Sequence, residues 1–162
     1  MASLKKRPNS VLVVDDDENI RCLISEILKK LDYEVTCAIN GQDALGIFQQ
    51  GRFDIMLSDL MMKPMDGLEL LGKIKQINPA AIFIMITGYP SIKSTIEAMR
   101  KGASDYITKP FNIDEINIKI ERALLERSLH ERLKNIKGTV WALIISIPVW
   151  LILGIILARV LK

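Results

Sequence analysis

Phe53-Asp54-Ile55-Met56-Leu57-Ser58-Asp59 is a short apolar run that ends in a carboxylate, and Leu60-Met61-Met62-Lys63-Pro64-Met65-Asp66-Gly67 follows it. Phe, Ile, Met and Leu in sequence, closed by Pro and Gly, are what a strand buried on both faces of a parallel sheet looks like. Asp59 then stands at the carboxyl end of that strand, the edge of an open α/β sheet where ligands bind. A single aspartate after a strand is as readily a helix cap or a turn former. The surrounding chain has to decide between these.

On either side the same rhythm repeats. Val11–Val14 is a β-branched run that stops at Asp15-Asp16-Asp17-Glu18, acidic residues that suit the start of a helix. That helix is expected to run to about Lys30, with Ile20, Leu23, Ile24, Ile27, Leu28 and Leu31 inward. A strand near Val35–Ile39 follows, then a helix over Gln42–Gln50 that stops at Gly51. After the central strand come a helix near Leu68–Ile77 and the most apolar strand, Ala81–Ile86. A helix from Pro90 and Ser91 to Lys101 has Gly102 as its C′ residue. Ser104–Ile107 is a short fifth strand, and a last helix starts at Ile113 with no clear stop before Gly138. Five strands alternating with five helices predict a flavodoxin-like, doubly wound (βα)5 three-layer sandwich around a parallel five-stranded sheet.

Composition bounds the remaining classes. A 162-residue chain holds one ordinary domain plus an appendage, and 25% charged residues rule out a disordered chain. The net charge of +3 is too small to argue for nucleic acid. Of the 22 Lys and Arg only Arg159 and Lys162 follow residue 138, and no acid does. Cys22 and Cys37 lack metal-ligand spacing, and Cys37, in an apparent strand, is expected to be a buried reduced thiol. Met1–Ser10 is basic and polar, without the apolar core of a signal peptide.

Four chemistry-bearing features fall at strand ends: Asp15-Asp16, Asp59, Thr87 and Lys109. Taken singly they also read as a capping cluster, a turn residue and a solvated lysine. Taken together they are brought to one sheet edge by the topology alone. Carboxylates converging in one cleft repel unless a cation intervenes, and hard oxygen ligands suit Mg2+. A hydroxyl and an ammonium beside it are what a phosphoryl group needs to spread its charge. The residues point to Mg2+-assisted phosphoryl transfer with Asp59 as nucleophile.

Val11-Leu-Val-Val-Asp-Asp-Asp-Glu18, Ser58-Asp59-Leu-Met-Met with Met65-Asp66-Gly67, Ile86-Thr87-Gly88 and Tyr106-Ile-Thr-Lys109-Pro110 together resemble a response-regulator receiver domain of two-component signalling. The resemblance implies that Asp59 accepts a phosphoryl group from a sensor histidine kinase or histidine phosphotransfer protein. It implies that Asp15, Asp16, Asp59 and the Met61 carbonyl hold Mg2+. It further implies that Thr87 and Lys109 contact the phosphoryl group, that Thr87 and Tyr106 move together as a switch, and that Lys109–Pro110 is cis. Such a domain is a phosphoacceptor rather than an enzyme in its own right. Family members tune loss of the group at the places of Met61 and Tyr89, whose bulk predicts partial exclusion of water. Where the family commonly has Met-Pro-Gly-Met-Asp-Gly, this chain has Met62-Lys63-Pro64-Met65-Asp66-Gly67, with the proline moved by one place.

The sequence divides into a polar lead-in (1–8), the receiver (9–125), a helical connector (126–138), a transmembrane helix (139–159) and a short tail (160–162). About 37 residues after the receiver are too few for a helix-turn-helix output domain and its linker, so no nucleic-acid partner is expected. Leu125, Leu129, Leu133 and Ile136 lie along one stripe, which fits either a short coiled-coil seam with a second copy or a solvated connector. His130 is expected to be an ordinary helical histidine. Val140–Ala158 carries no charge in 19 residues, long enough as a helix to cross a bilayer. Arg127, Arg132, Lys134 and Lys137 before it outnumber Arg159 and Lys162 after it, which places the receiver in the cytoplasm and the helix in the inner membrane. The expected function is a membrane-tethered receiver that signals through changed protein contacts to an unidentified target. The alternative is a phosphorelay intermediate that passes the group on to a histidine.

Overall fold

The computed structural model describes residues 9–133. The order is β1 (Ser10–Val14), α1 (Glu18–Lys30), β2 (Glu34–Ala38), α2 (Gly41–Gln50), β3 (Ile55–Asp59), α3 (Gly67–Ile77), β4 (Ile82–Thr87), α4 (Ile92–Arg100) and β5 (Asp105–Thr108). A fifth helix, α5, covers residues 113–124 of the compact unit Met1–Leu124. All strand pairs are parallel, in the order β2-β1-β3-β4-β5. The expected doubly wound sheet is therefore present.

Alternate residues of the central strands fill opposite layers, as the period of two requires. Leu12, Val14, Met56, Phe83 and Met85 pack with Ala44 and Phe48 of α2, Leu70, Leu71 and Ile74 of α3 and Ala98 of α4. Val11, Val13, Ile55, Leu57, Ile82, Ile84 and Ile86 pack with Ile24, Ile27 and Leu28 of α1 and Ile116 and Ile120 of α5. Each buried Val, Leu, Ile, Phe or Met side chain among them contributes about 1.5–3 kcal/mol of burial, which explains why the three middle strands read as continuous apolar runs.

Two expectations fail, both for reasons of position in the sheet. Cys37 is exposed rather than buried, because β2 pairs only with β1 and forms an edge. Leu23 is 48% exposed; the face of α1 that meets the sheet is centred on Ile24, Ile27 and Leu28, narrower than the apolar stripe of the sequence. Gly102, at φ +95, is the left-handed residue after α4, as expected. Lys109–Pro110 is cis, and so is Lys63–Pro64.

Residues 125–133 belong to a second unit and are helical. Leu125, Leu129 and Leu133 are exposed along one side. Arg127 pairs with Glu131 at 3.5 Å. His130 lies on the exposed surface, its Nδ1 2.9 Å from the Glu126 carbonyl. Ile136 and the segment 139–159 lie outside the described residues. Among the described residues no helix is long and apolar enough to cross a membrane.

Candidate functional site

The strand order reverses between β1 and β3, so the chain leaves these two neighbours toward opposite sides of the sheet and a crevice opens beyond their carboxyl ends. Asp15 follows β1 directly and Asp59 ends β3, and the register pairs Val14 with Ser58. Both carboxylates are buried, at 1% and 6% exposure. Lys109, just beyond β5, reaches across the sheet edge to both of them. Its Nζ lies 2.7 Å from Asp15 Oδ2 and 2.8 Å from Asp59 Oδ1. The second oxygen of each acid takes a backbone N–H: Asp17 donates to Asp15 Oδ1 at 2.9 Å, and Met61 donates to Asp59 Oδ2 at 2.8 Å. Charge-assisted bonds of this kind are the strong ones.

Burial raises the Asp15 carboxyl above its ordinary value and outweighs the bonds from Lys109 and the Asp17 amide. Burial alone would lower the Lys109 ammonium, but two carboxylates in contact with it carry it above its ordinary value. One cation thus serves two buried anions, and the exposed Asp16 adds a third acid at the rim. The site as a whole is deficient in positive charge.

The acidic run after β1 divides its work. Asp17 caps α1, its side chain accepting from the Asn19 and Ile20 amides, and Asp15 belongs to the site. Thr87 is fully buried at the end of β4, where its Oγ1 accepts from the Tyr89 amide at 3.2 Å. The Thr87 carbonyl accepts from the Lys109 amide at 2.7 Å, so the backbones of these two residues are tied at the same edge. Tyr106 is half-buried on β5, its ring against the core and its hydroxyl 3.4 Å from Ser94 Oγ on α4. Met61 and Tyr89, expected to shield the site from water, are 62% and 81% exposed, so little of either side chain packs over it.

Two supporting residues escaped sequence reasoning. A Cβ at Gly67 would lie 2.3 Å from the Asp59 carbonyl oxygen and 2.8 Å from Met85 Sδ, so α3 can start this close to Asp59 only without a side chain. The Asp66-Gly67 pair announces the turn but not the proximity. Arg21 Nη1 donates to the Asp15 carbonyl at 2.8 Å, and an exposed-looking arginine on α1 carries no signal of that. The displaced proline has a local solution: Met62 and Met65 on either side of Lys63-Pro64 are both buried in the core cluster with Leu60.

Among the described residues no three or more His, Cys, Asp or Glu are gathered as a metal cluster. In this arrangement the Lys109 ammonium stands between Asp15 and Asp59. The donor set nevertheless suits a hard dication, because Mg2+ needs only one or two carboxylates and keeps waters for the rest.

Residues 11–121 match the response regulator receiver domain family. The chain is 34% identical over 128 residues to the regulatory protein AtoC of Escherichia coli K12, covering 79% of this chain and 28% of that one. It is 37% identical over 114 residues to the transcriptional regulatory protein ZraR of Salmonella typhimurium, covering 70% and 26%. The chain thus spans about a quarter of the length of these relatives. Among solved structures, a CheY-like receiver domain protein of Methanospirillum hungatei superposes with a TM-score of 0.73 at 32% identity, covering 76% of this chain and 98% of that one. NtrX of Brucella abortus superposes with a TM-score of 0.75 at 32% identity over 80% of this chain and 29% of its own. With its fold, its strand-end acids and its bridging lysine, the chain belongs to the response regulator receiver domain family.

Proposed function

We propose that this chain accepts a phosphoryl group on Asp59 from a sensor histidine kinase or a histidine phosphotransfer protein. The observation that carries the reading is Asp59 itself, a carboxylate at the sheet's switch point held between the Met61 amide and the Lys109 ammonium. One of its oxygens attacks phosphorus, an acyl–phosphate bond forms, the donor's P–N bond breaks, and the imidazole leaves with the electron pair. Mg2+, when bound by Asp15, Asp16, Asp59 and the Met61 carbonyl, would offset the charge of the acids and the incoming phosphoryl oxygens. In this reading Lys109 follows the added charge, and Thr87 donates its hydroxyl proton to a phosphoryl oxygen. Thr87 and Tyr106 then carry the change to the face built from α4, β5 and α5, which alters protein contacts.

The uncharged run Val140–Ala158 and its basic approach support a single-pass tether in the inner membrane with the receiver in the cytoplasm. Tethering raises the effective concentration of the receiver toward a membrane-bound donor or target. The exposed Leu125, Leu129 and Leu133 stripe supports pairing with a second copy. The test is labelling with Mg2+ and a small phosphodonor. One acid-stable, base-labile phosphoryl group is expected, and Asp59→Asn should abolish it because an amide is no nucleophile. Normal labelling of that variant would remove Asp59 from the role.

A further inference from the structure

The first turn of α4 is capped by a pair of serines. Ser91 Oγ accepts from the Ser94 amide at 3.0 Å, and Ser94 Oγ accepts from the Ser91 amide at 3.3 Å, a reciprocal capping box. Ser94 Oγ lies 3.0 Å from the Ser91 carbonyl, 2.8 Å from Ser91 Oγ and 3.4 Å from the Tyr106 hydroxyl. A serine hydroxyl has one proton and two lone pairs, so these four neighbours oversubscribe it. The Ser91 amide takes one lone pair. The proton faces the Ser91 carbonyl, which already accepts from the Thr95 amide at 3.0 Å and the Thr95 hydroxyl at 2.9 Å. Ser91 Oγ and Tyr106 are left to compete for what remains. The tyrosine bond is the longest of the set, and among the described residues Ser94 is that hydroxyl's one hydrogen-bond partner.

The same loop starts at the site. The Tyr89 amide is bonded to Thr87 Oγ1, and Tyr89 is two residues ahead of the cap. A displacement of that oxygen pulls on Tyr89 and hence on Ser91. We propose that Ser94 is a positioning residue of the switch: its hydroxyl couples the Tyr106 ring on β5 to the first turn of α4. Movement of the Thr87 hydroxyl disturbs the cap, and the overcommitted Ser94 lets go of its weakest partner, Tyr106. The latch belongs to the unphosphorylated state, so weakening it favours the phosphorylated arrangement. This rests on Asp59 as phosphoacceptor, but the coupling between cap and ring does not.

The experiment has two arms, both on the full chain in detergent micelles. In the first, amide hydrogen exchange is followed over residues 89–96 without any phosphoryl mimic. Tyr106→Phe, although on another element, should speed exchange at the cap about two- to fivefold, the scale of one modest hydrogen bond. Ser94→Ala should do at least as much, the double variant should add nothing to it, and Ser94→Thr, which keeps the hydroxyl, should behave as the parent. Unchanged exchange in Tyr106→Phe, or effects that simply multiply in the double variant, would overturn the coupling. In the second arm the chain is titrated with beryllofluoride and Mg2+. Ser94→Ala should bind about two- to fivefold tighter than the parent, with Ser94→Thr unchanged. Equal affinities in parent and Ser94→Ala would overturn the latch. A parent chain that takes no beryllofluoride would refute the phosphoacceptor reading, while the first arm would still decide whether Ser94 holds Tyr106.

Discussion

Lys109→Met keeps an aliphatic stem and deletes the one ammonium between Asp15 and Asp59. Two charge-assisted bonds of 2.7 and 2.8 Å disappear, and two carboxylates at 1% and 6% exposure face each other without a cation. Removing one partner from a buried ionic contact costs about 3–5 kcal/mol. Lys109 is itself 21% exposed, and a carboxylate can relieve the strain by taking a proton. The lower end, about 3 kcal/mol at neutral pH, is therefore expected. With a urea dependence of about 2 kcal/mol per molar, the unfolding midpoint of residues 1–137 should fall by about 1.5 M. The penalty must also depend on pH. Asp15 already binds its proton more tightly in the folded state than in the unfolded chain. A raised acid lowers stability as pH climbs from its unfolded value, 3.8, through its folded one. Loss of the lysine pushes Asp15 further up, so the gap between variant and parent should be small near pH 4 and widen toward pH 8. Urea melts at both pH values check this. An unchanged midpoint at neutral pH, or a penalty equal at pH 4 and 8, would refute the electrostatic account of the site.

Gly67→Ala should cost about 2–3 kcal/mol, the scale of overpacking, because the new methyl meets the Asp59 carbonyl, Met85 and the Leu60 backbone; thermal unfolding measures it, and phosphodonor labelling should fall with it. Burial and Glu121, 3.4 Å from its hydroxyl, hold the Tyr33 phenol up at about 12. An acid raised in this way weakens the fold as pH rises from about 10 toward 12, so Tyr33→Phe should lessen the alkaline loss of stability by up to about 2–3 kcal/mol, read from denaturant melts. The full chain should sediment with membranes and resist high salt and carbonate, while residues 1–137 stay soluble; release by salt alone would show a peripheral association.

The fold could be read from sequence because Val11–Val14, Ile55–Leu57 and Ile82–Ile86 are buried on both sides, and only parallel central strands keep such runs apolar. Strand limits were expected a residue or so away from where they fall, since register is set by neighbouring strands and not by the run itself. Cys37 and Leu23 show the two ways periodicity misleads: it cannot tell an edge strand from a central one, nor how much of a helix's apolar stripe the sheet will cover. The site acids and Lys109 were legible because topology alone carries strand ends to one edge. Arg21, Gly67 and Ser94 were not, because each acts through an approach between segments that no local pattern records.

On the proposed reading this edge acts as a switch, and its charge balance suits that role. Every carboxylate oxygen of Asp15 and Asp59 has a donor, yet the two acids share one cation and Asp15 is held toward protonation. Such a site contributes less to stability than apolar residues of the same volume could, while the two core layers beneath it consist of buried apolar side chains. The site is thus locally under-neutralised above a buried apolar core. On the proposed reading, a dication corrects the deficit, and a phosphoryl group on Asp59 adds negative charge at a point within reach of Lys109 and beside the Thr87 edge. The Lys109 ammonium has three N–H donors, and Asp15 and Asp59 take two of them, which leaves the third for a phosphoryl oxygen. On that reading the added charge draws the ammonium toward the phosphoryl group and the Thr87 hydroxyl follows, and the loop that joins Thr87 to the Ser91 cap carries the change from the site to α4.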